Sequence, residues 1–228
     1  MSTFKNSLQN FAQRLISKKK IVISRTMVYL GRNRKFDIYN EGGYIRLSSL
    51  ELVSFEINEN GVNGAVAELG VYRGRFAKKI NEAFPNRKLY LFDTFEGFDQ
   101  RDIKKEISNN YSTASVDLAN TSVDLVLEQM PFKDNCIIKK GFFPDTALNL
   151  DETFAFVSID ADLYQPIYEG LKYFYPRLSR GGYIFIHDYN NHEFKGSKQA
   201  VRDFCKEHTI SYFPLSDYAG SAVISKGH

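Results

Sequence analysis

His187 and Asp188 stand side by side at the end of the alternating apolar stretch "GGYIFIHD", which is typical of a strand. Asp160 and Asp162 follow a second apolar stretch, in "SIDADLY", and their spacing puts both carboxylates on one side of an extended backbone. Imidazole and carboxylate groups are ligands of divalent cations. Asp160, His187 and Asp188 therefore predict a cation site, beside which Asp162 could take a proton from a hydroxyl. The alternative is a loop whose acids accept hydrogen bonds from backbone N–H groups.

A second group of candidate residues, Glu68 to Asp93, precedes the first group in the sequence. Glu68 is in "AELGVYRG", where Gly70 and Gly74 allow a close-approach turn between a strand and a helix. Because Tyr72 stands between the glycines, this turn does not match the G-x-G-x-x-G motif of dinucleotide-binding enzymes. Asp93 ends the next strand, where a carboxylate can accept the hydroxyls of a ribose. A ribose-binding acid together with Glu68 favours a positively charged nucleoside cofactor such as S-adenosylmethionine.

Strands and helices alternate from Gly64 onward. Strands are predicted at 65–69, 88–93, 135–140, 153–160 and 181–188, followed by two closing strands in "SYFPL" and "SAVISK". Helices are predicted at 74–84, 121–129, 165–178 and 197–208. The alternation indicates an α/β fold with a parallel sheet covered on both faces, and such sheets bind ligands beyond the carboxyl ends of their strands. Each acid singled out above is expected at such an end.

The N-terminal segment differs from the rest in charge, because no acidic residue precedes Asp37 and nine basic residues do. Phe4, Leu8, Phe11 and Leu15 predict a basic amphipathic helix over 3–17, and a second helix is predicted over 44–60. The first helix could contact an anionic membrane peripherally, cover a site, or pack on its own domain or a second subunit. We therefore divide the chain into a basic helical extension or lid, 1–60, and a second domain, 61–228.

Several classes of protein are disfavoured by composition. The net charge of +3 comes from the local basic arm, so it does not indicate nucleic-acid binding. No apolar run approaches the roughly 20 residues of a membrane span, and the N-terminus has no signal-peptide core. Cys136 and Cys205 form no metal-binding pattern, which fits a reducing, cytoplasmic environment.

Taken in order, these motifs resemble the macrocin O-methyltransferase family. The resemblance spans about 46–226 and rests on "AELGVYRG", "LFDTFEGF", "KKGFFPDT", "IDADLY", "LSRGGYIFIHDY" and "AVRDF". It implies a Rossmann-like class I methyltransferase fold: a seven-stranded, mostly parallel sheet with one antiparallel strand. It also implies transfer of a methyl group from S-adenosylmethionine to a hydroxyl of a saccharide substrate, with Mg²⁺ or Mn²⁺, by an enzyme that self-associates.

The resemblance assigns roles position by position. It implies cofactor binding by Glu68, Gly70, Gly74, Asp93, Thr94, Phe95, Gly141 and Phe142, the last two on the adenine side. It implies metal binding by Asp160 and Asp188, and a general base at Asp162.

One position departs from the family pattern, because His187 replaces the first of two adjacent acids. Imidazole favours manganese, iron, cobalt or zinc more than a carboxylate does, and the lost negative charge weakens binding of magnesium. The alternative is a metal-free mechanism in which His187 is the base.

Other functions stay open at the level of sequence. A metal-dependent methyltransferase of phenolic hydroxyls uses a similar sheet. A nicotinamide-dependent sugar dehydrogenase or epimerase is disfavoured by the missing glycine fingerprint, and a non-catalytic binding module by the presence of Asp162.

Overall fold

The structure, a computed structural model, describes residue 35 and residues 43–227. The predicted helix over 3–17 lies outside the described residues, as does most of the proposed lid, 1–60. The described residues belong to a compact unit, Arg34–His228, which includes the helix predicted at 44–60. None of the helices in this described part has the length and hydropathy of a membrane span.

The helices and strands agree with the predicted alternation to within three residues at their ends, with one helix added. The strands are β1 (Ala65–Leu69), β2 (Leu89–Asp93), β3 (Cys136–Lys140), β4 (Phe154–Ile159), β5 (Leu178–Ile186), β6 (Phe213–Leu215) and β7 (Ser221–Ser225). The helices are α1 (Tyr44–Glu59), α2 (Arg75–Ala83), α3 (Gln100–Ser108), α4 (Val123–Glu128), α5 (Tyr164–Arg177) and α6 (Lys195–Glu207).

The strands of the described residues form one seven-stranded sheet in the order β3-β2-β1-β4-β5-β7-β6. Neighbouring strands run parallel except at β7, which pairs antiparallel with both β5 and β6. The predicted mostly parallel sheet with one antiparallel strand is therefore confirmed. Strand order changes direction between β1 and β4, where open α/β sheets hold their ligands.

Helices cover both faces of the sheet, so its central strands are apolar along their whole length. On one face Leu50 and Ile57 of α1 and Ile80 of α2 pack on strand residues such as Phe156. On the other face Phe174 of α5 contacts Phe154, with ring centroids 5.1 Å apart. Full burial of such side chains stabilises a fold by about 1.5–3 kcal/mol each. The core therefore fixes the strand ends that carry the acids.

Helix α3 was not predicted, because the polar stretch that contains it has few apolar residues. Its sequence, QRDIKKEIS, has two apolar residues, and its N-terminus is capped by Asp99, whose carboxylate accepts from Arg101 N at 2.9 Å. Glu106 attaches it to the fold: this buried carboxyl accepts from Tyr164 N at 2.9 Å and from Gly196 N. Glu106 thus bonds to the first turns of both α5 and α6.

Candidate active site

A cavity of about 630 Å³ lies at the carboxyl edge of the sheet. The last backbone hydrogen bonds of four neighbouring strands end at its floor, for example Asp160 N to Leu69 O at 2.8 Å and His187 N to Ile159 O at 2.9 Å. Side chains that follow these bonds no longer have to pair with a strand, so they can face a ligand. The residues of the predicted site that line the cavity are Glu68, Gly70, Asp93, Thr94, Gly141, Phe142, Asp160, Asp162 and His187.

Gly70 brings the ends of β1 and β4 together. Its φ is +82°, in the left-handed region, and a Cβ there would lie 2.1 Å from Asp160 O. A side chain at this position would force the two strand ends apart. Gly74 serves the fold differently: it begins α2 with φ +74° and packs against Val126. Gly74 does not line the cavity, although the resemblance assigned it to the cofactor.

Asp93 is held by backbone amides. Its Oδ2 accepts from Val71 N at 2.6 Å and Tyr72 N at 2.8 Å, and its Oδ1 accepts from Phe95 N at 2.6 Å. These bonds fix the turn after β1 against the turn after β2. A carboxylate offers about four lone-pair positions, so roughly one remains for a ligand. Asp93 therefore has room for one ribose hydroxyl more readily than for two.

Glu68 is buried in the wall of the cavity, with 1% of its surface exposed. Its Oε1 accepts from Ser158 Oγ at 3.5 Å, whereas no residue of the described chain bonds its Oε2. Burial, followed by the negative charge of Asp160, raises the pKa of Glu68 well above its usual range. A buried carboxyl with an unused oxygen suits a cationic ligand, which would stabilise its charged form.

The cluster of acids around His187 is compact. His187 Nδ1 lies 3.0 Å from Asp160 Oδ1 and 2.7 Å from Asp188 Oδ2, and Asn191 Nδ2 donates to Asp188 Oδ1 at 2.9 Å. One ligand atom from each of Asp160, His187 and Asp188 lies within 4.8 Å of the others. The three predicted metal ligands are thus side by side in the structure, although Asp188 itself does not line the cavity.

Charge in this cluster is shared between the imidazole and the carboxylates. Burial opposes protonation of His187, but Asp160 and then Asp188 outweigh it and raise the pKa of His187 to about 10. Burial would likewise raise the pKa of Asp160, but the guanidinium of Arg46 and the charge of His187 hold it below its usual range. At neutral pH, without a cation, His187 is therefore an imidazolium, which has no lone pair for a proton or a metal.

Asp162 stands next to this cluster. Burial raises its pKa well above the usual range, and Asp160 and Asp188 add to that effect, the latter also through a hydrogen bond between the two side chains. Its backbone is left-handed, with φ +57°, which costs a non-glycine residue about 1–2 kcal/mol. A carboxyl with a raised pKa that faces a cavity has the affinity for a proton that a general base needs.

Arg46 of α1 is a site residue that sequence reasoning missed. Its Nη1 donates to Asp160 Oδ2 at 2.9 Å and its Nη2 to Ser158 Oγ at 3.1 Å, while the guanidinium lies 3.6 Å from the centroid of Phe76. Arg46 therefore orients one metal-ligand candidate and supplies a fixed positive charge. The only signal was a single basic residue in "YIRLSS", which looks like any solvated lysine or arginine on a helix.

The remaining cofactor candidates occupy different places. Thr94 lines the cavity and forms the turn after β2 by donating to Gly97 O at 2.6 Å. Phe95 is buried in the core between the sheet and α2 and does not line the cavity. Gly141 and Phe142 line it from the loop after β3, and the guanidinium of Arg101 lies 3.4 Å from the centroid of the Phe142 ring.

Sequence comparison identifies the family. The profile of the macrocin-O-methyltransferase (TylF) family matches residues 5–224. The chain belongs to this family. Mycinamicin III 3''-O-methyltransferase of Micromonospora griseorubida is 30% identical over 184 residues, which are 74% of this chain and 71% of that enzyme. A tetracenomycin-C rhamnosyl 4'-O-methyltransferase of Streptomyces olivaceus is 27% identical over 206 residues, 85% of this chain and 77% of that one.

Structural comparison supports the same fold. The solved structure of the O-methyltransferase NovP aligns with a TM-score of 0.63 at 21% identity, over 81% of this chain and 81% of that chain. The Rossmann-like methyltransferase fold is thus confirmed, and so is the enzyme class: an S-adenosylmethionine-dependent O-methyltransferase. Family membership decides against the nicotinamide-dependent and non-catalytic alternatives.

Proposed function

We propose that this methyltransferase acts on a hydroxyl of a sugar, a nucleotide sugar or a glycosylated small molecule. One relative named above is a methyltransferase of a rhamnosyl-bearing tetracenomycin, which supports this acceptor class. The observation that carries the proposal is the position of Asp162, which faces the same cavity as Glu68 and lies against the cluster of Asp160, His187 and Asp188. Donor, acceptor and base can therefore meet in one cavity.

The donor fits the floor of the cavity. When bound, S-adenosylmethionine supplies an electrophilic methyl group on a sulfonium. Glu68, with its unused Oε2, faces the cationic end, and Asp93 offers its remaining lone pair to the ribose. Holding the donor at two points leaves its methyl group aimed at the acceptor, and alignment of this kind is a large part of catalysis for a reagent that is already reactive.

Asp162 has the role of general base in this proposal. The acceptor oxygen forms a bond to the methyl carbon while the bond from carbon to sulfur breaks, and the hydroxyl proton passes to the Asp162 carboxylate. S-adenosylhomocysteine and the methyl ether leave. Positively charged neighbours favour the ionised form of Asp162 that must accept the proton, and His187 already acts in this direction on its pKa.

A divalent cation fits the donor set of Asp160, His187 and Asp188, two carboxylates and one imidazole. Such an ion lowers the pKa of a hydroxyl that it binds. To bind it, the His187 imidazolium must lose one ring proton, although its Nδ1 lies 3.0 Å from Asp160 Oδ1 and 2.7 Å from Asp188 Oδ2. The metal-free alternative uses His187 as a base, which its raised pKa disfavours, because the imidazolium is already protonated.

A release assay tests both acceptor and metal. S-adenosylhomocysteine formation is measured with nucleotide sugars, glycosides and catechols, in Mg²⁺, in Mn²⁺ and after exhaustive chelation. We expect turnover on the saccharides, lost on chelation and restored by Mn²⁺ at least as well as by Mg²⁺. Preference for catechols would contradict the acceptor class, and full activity after chelation would contradict the metal.

A further inference from the structure

The turn between β6 and β7, residues 216–220, contributes side chains to the cavity that the proposed reaction does not use. Asp217 and Tyr218 both line the cavity. Tyr218 is fully exposed (102%), and no ring, cation or hydrogen-bond partner for its side chain lies in the part of the chain that the structure describes. A tyrosine offers an apolar ring face and a polar tip, and such side chains are common in the walls of ligand sites. Tyr218 is therefore available to a ligand.

Asp217 has one carboxylate oxygen in use and one without a partner. Its Oδ2 accepts from Ser221 Oγ at 2.6 Å, and its backbone O accepts from Gly220 N at 3.2 Å. Its Oδ1 is buried, and no donor in the described residues bonds to it. Buried carboxylate oxygens without a donor are rare, because they lose their hydration without replacing it. Since Asp217 lines the cavity, a ligand hydroxyl bound there can supply the missing donor.

The turn is held beside the acid cluster by the sheet and by a backbone hydrogen bond. Strand β7 pairs with β5, and Ala222 lies opposite Ile186, the residue before His187. In addition, Asn190 N donates to Ala219 O at 3.1 Å, which joins the turn to the segment that follows β5. The turn therefore belongs to the part of the cavity in which the acceptor hydroxyl meets the proposed base.

The proposed donor occupies the other side of the reacting centre. Glu68 and Asp93 belong to β1 and β2, and these strands are separated from β5 and β7 by β4. The methyl carbon lies between the sulfur of the donor and the oxygen of the acceptor, because one bond forms as the other breaks. Side chains of the turn are thus placed to contact the acceptor rather than the donor.

We propose that Tyr218 and Asp217 form the subsite that binds the acceptor sugar. The Tyr218 ring packs against the C–H groups on one face of the pyranose, and Asp217 Oδ1 accepts from a hydroxyl other than the one that is methylated. The inference rests on the proposed function, a sugar hydroxyl as the acceptor.

The chemistry of a sugar matches both side chains. The C–H hydrogens of a pyranose carry small positive partial charges, whereas the face of an aromatic ring is negative. A hydroxyl that donates to a carboxylate makes a charge-assisted hydrogen bond, which is stronger than one between neutral groups. The ring of Tyr218 therefore fixes the plane of the sugar, and Asp217 fixes its rotation within that plane.

Steady-state kinetics of S-adenosylhomocysteine release test the role of Tyr218, with UDP-glucose, methyl α-D-glucopyranoside and methyl α-L-rhamnopyranoside as acceptors. Tyr218→Ala should raise the acceptor KM about tenfold and change kcat less than about threefold, because it removes a binding contact and no reacting group. Tyr218→Phe keeps the ring and should have a KM within about twofold of wild type. The matched control is Phe213→Ala, which removes an exposed ring of the same hairpin outside the cavity lining and should have the wild-type KM.

A pair of variants separates acceptor binding by Asp217 from support of the turn. Asp217→Ala should raise the acceptor KM about tenfold, because it removes the oxygen that accepts from the sugar. Ser221→Ala removes the hydrogen bond to Oδ2 but keeps Oδ1, so it should raise the KM less than about threefold. Calorimetry with S-adenosylhomocysteine should give the wild-type affinity for each variant, because the donor lies on the other side of the reacting centre.

The outcomes distinguish the inference from the proposed function. If wild-type protein turned over none of the three saccharides, the sugar acceptor of the proposed function would be contradicted. If wild-type protein turned them over, an unchanged KM in Tyr218→Ala would overturn the inference alone. Equal changes of KM in Asp217→Ala and Ser221→Ala would do the same, because they would show that Asp217 only supports the turn.

Discussion

Asp93 after β2 and Asp160 after β4 lie at the same edge of the sheet, yet their negative charges are stabilised in different ways. Asp93 accepts from three backbone amides, whose dipoles are fixed by the turns that carry them. Asp160 contacts the side chains of Arg46 and His187, and the charge of His187 titrates. The hydrogen bonds of Asp93 are therefore fixed by the fold, whereas the contacts of Asp160 respond to pH and to cations.

The largest expected effect is on turnover, and it comes from substitution of Asp162, the proposed general base. Asp162→Asn is expected to lower turnover by roughly 10²-fold or more, because an amide cannot take the acceptor proton. Affinity for S-adenosylhomocysteine, measured by calorimetry, should be nearly unchanged. Asp151→Asn, in the exposed loop before β4, is the matched control and should have wild-type turnover. Turnover of Asp162→Asn within a few-fold of wild type would remove it from the role of base.

Substitution of Asp93, which is held by backbone amides, should lower the stability of the fold. Asp93→Asn puts an NH₂ group among amide N–H donors, so we expect the free energy of unfolding in urea to fall by about 1–3 kcal/mol. Asp117 accepts from a single amide, Ala119 N, in an exposed loop, so Asp117→Asn should cost less than about 0.5 kcal/mol. Equal losses in the two variants would mean that Asp93 does not fix the turns.

Replacement of His187, one of the three candidate metal ligands, should change the affinity for Mg²⁺. His187→Asp replaces an imidazolium by a carboxylate, so Mg²⁺ affinity, measured with the metal alone, should rise about tenfold. The same exchange at His192, which is exposed and outside the cluster, should leave Mg²⁺ binding unchanged. Unchanged Mg²⁺ binding by His187→Asp would show that this position is not a ligand.

The smallest effect concerns pH. In the metal-free protein the pKa of His187 is raised to about 10 from about 6.5, so its contribution to stability is complete below pH 6.5 and is lost as pH rises toward 10. The stability difference between wild type and His187→Gln should therefore shrink over this range, by on the order of 1 kcal/mol because the cluster is partly exposed. His192→Gln is the control. A stability difference that grows with pH would contradict the positive charge assigned to His187.

Sequence predicted those parts of the molecule in which a local pattern decides the structure. Buried strands are continuous apolar runs, and Asp160 and His187–Asp188 each follow such a run, so the sheet and the cluster of Asp160, His187 and Asp188 could be anticipated. Arg46 could not, because its contact with Asp160 joins residues 114 positions apart. Helix α3 was missed for a related reason: it is held by a cap, by Glu106 and by one packed apolar residue, Ile103, while Ile107 is exposed.

The glycine at position 70 has a consequence for how such an enzyme could change its acceptor. Nothing larger than hydrogen fits between it and the Asp160 carbonyl. The end of β1, which faces the proposed donor, is therefore held in contact with the end of β4, which precedes Asp162. Loops around the cavity entrance can then vary in length and sequence while the distance between the proposed donor site and Asp162 is kept. The choice of acceptor can in this way change while the distance between the two strand ends stays the same.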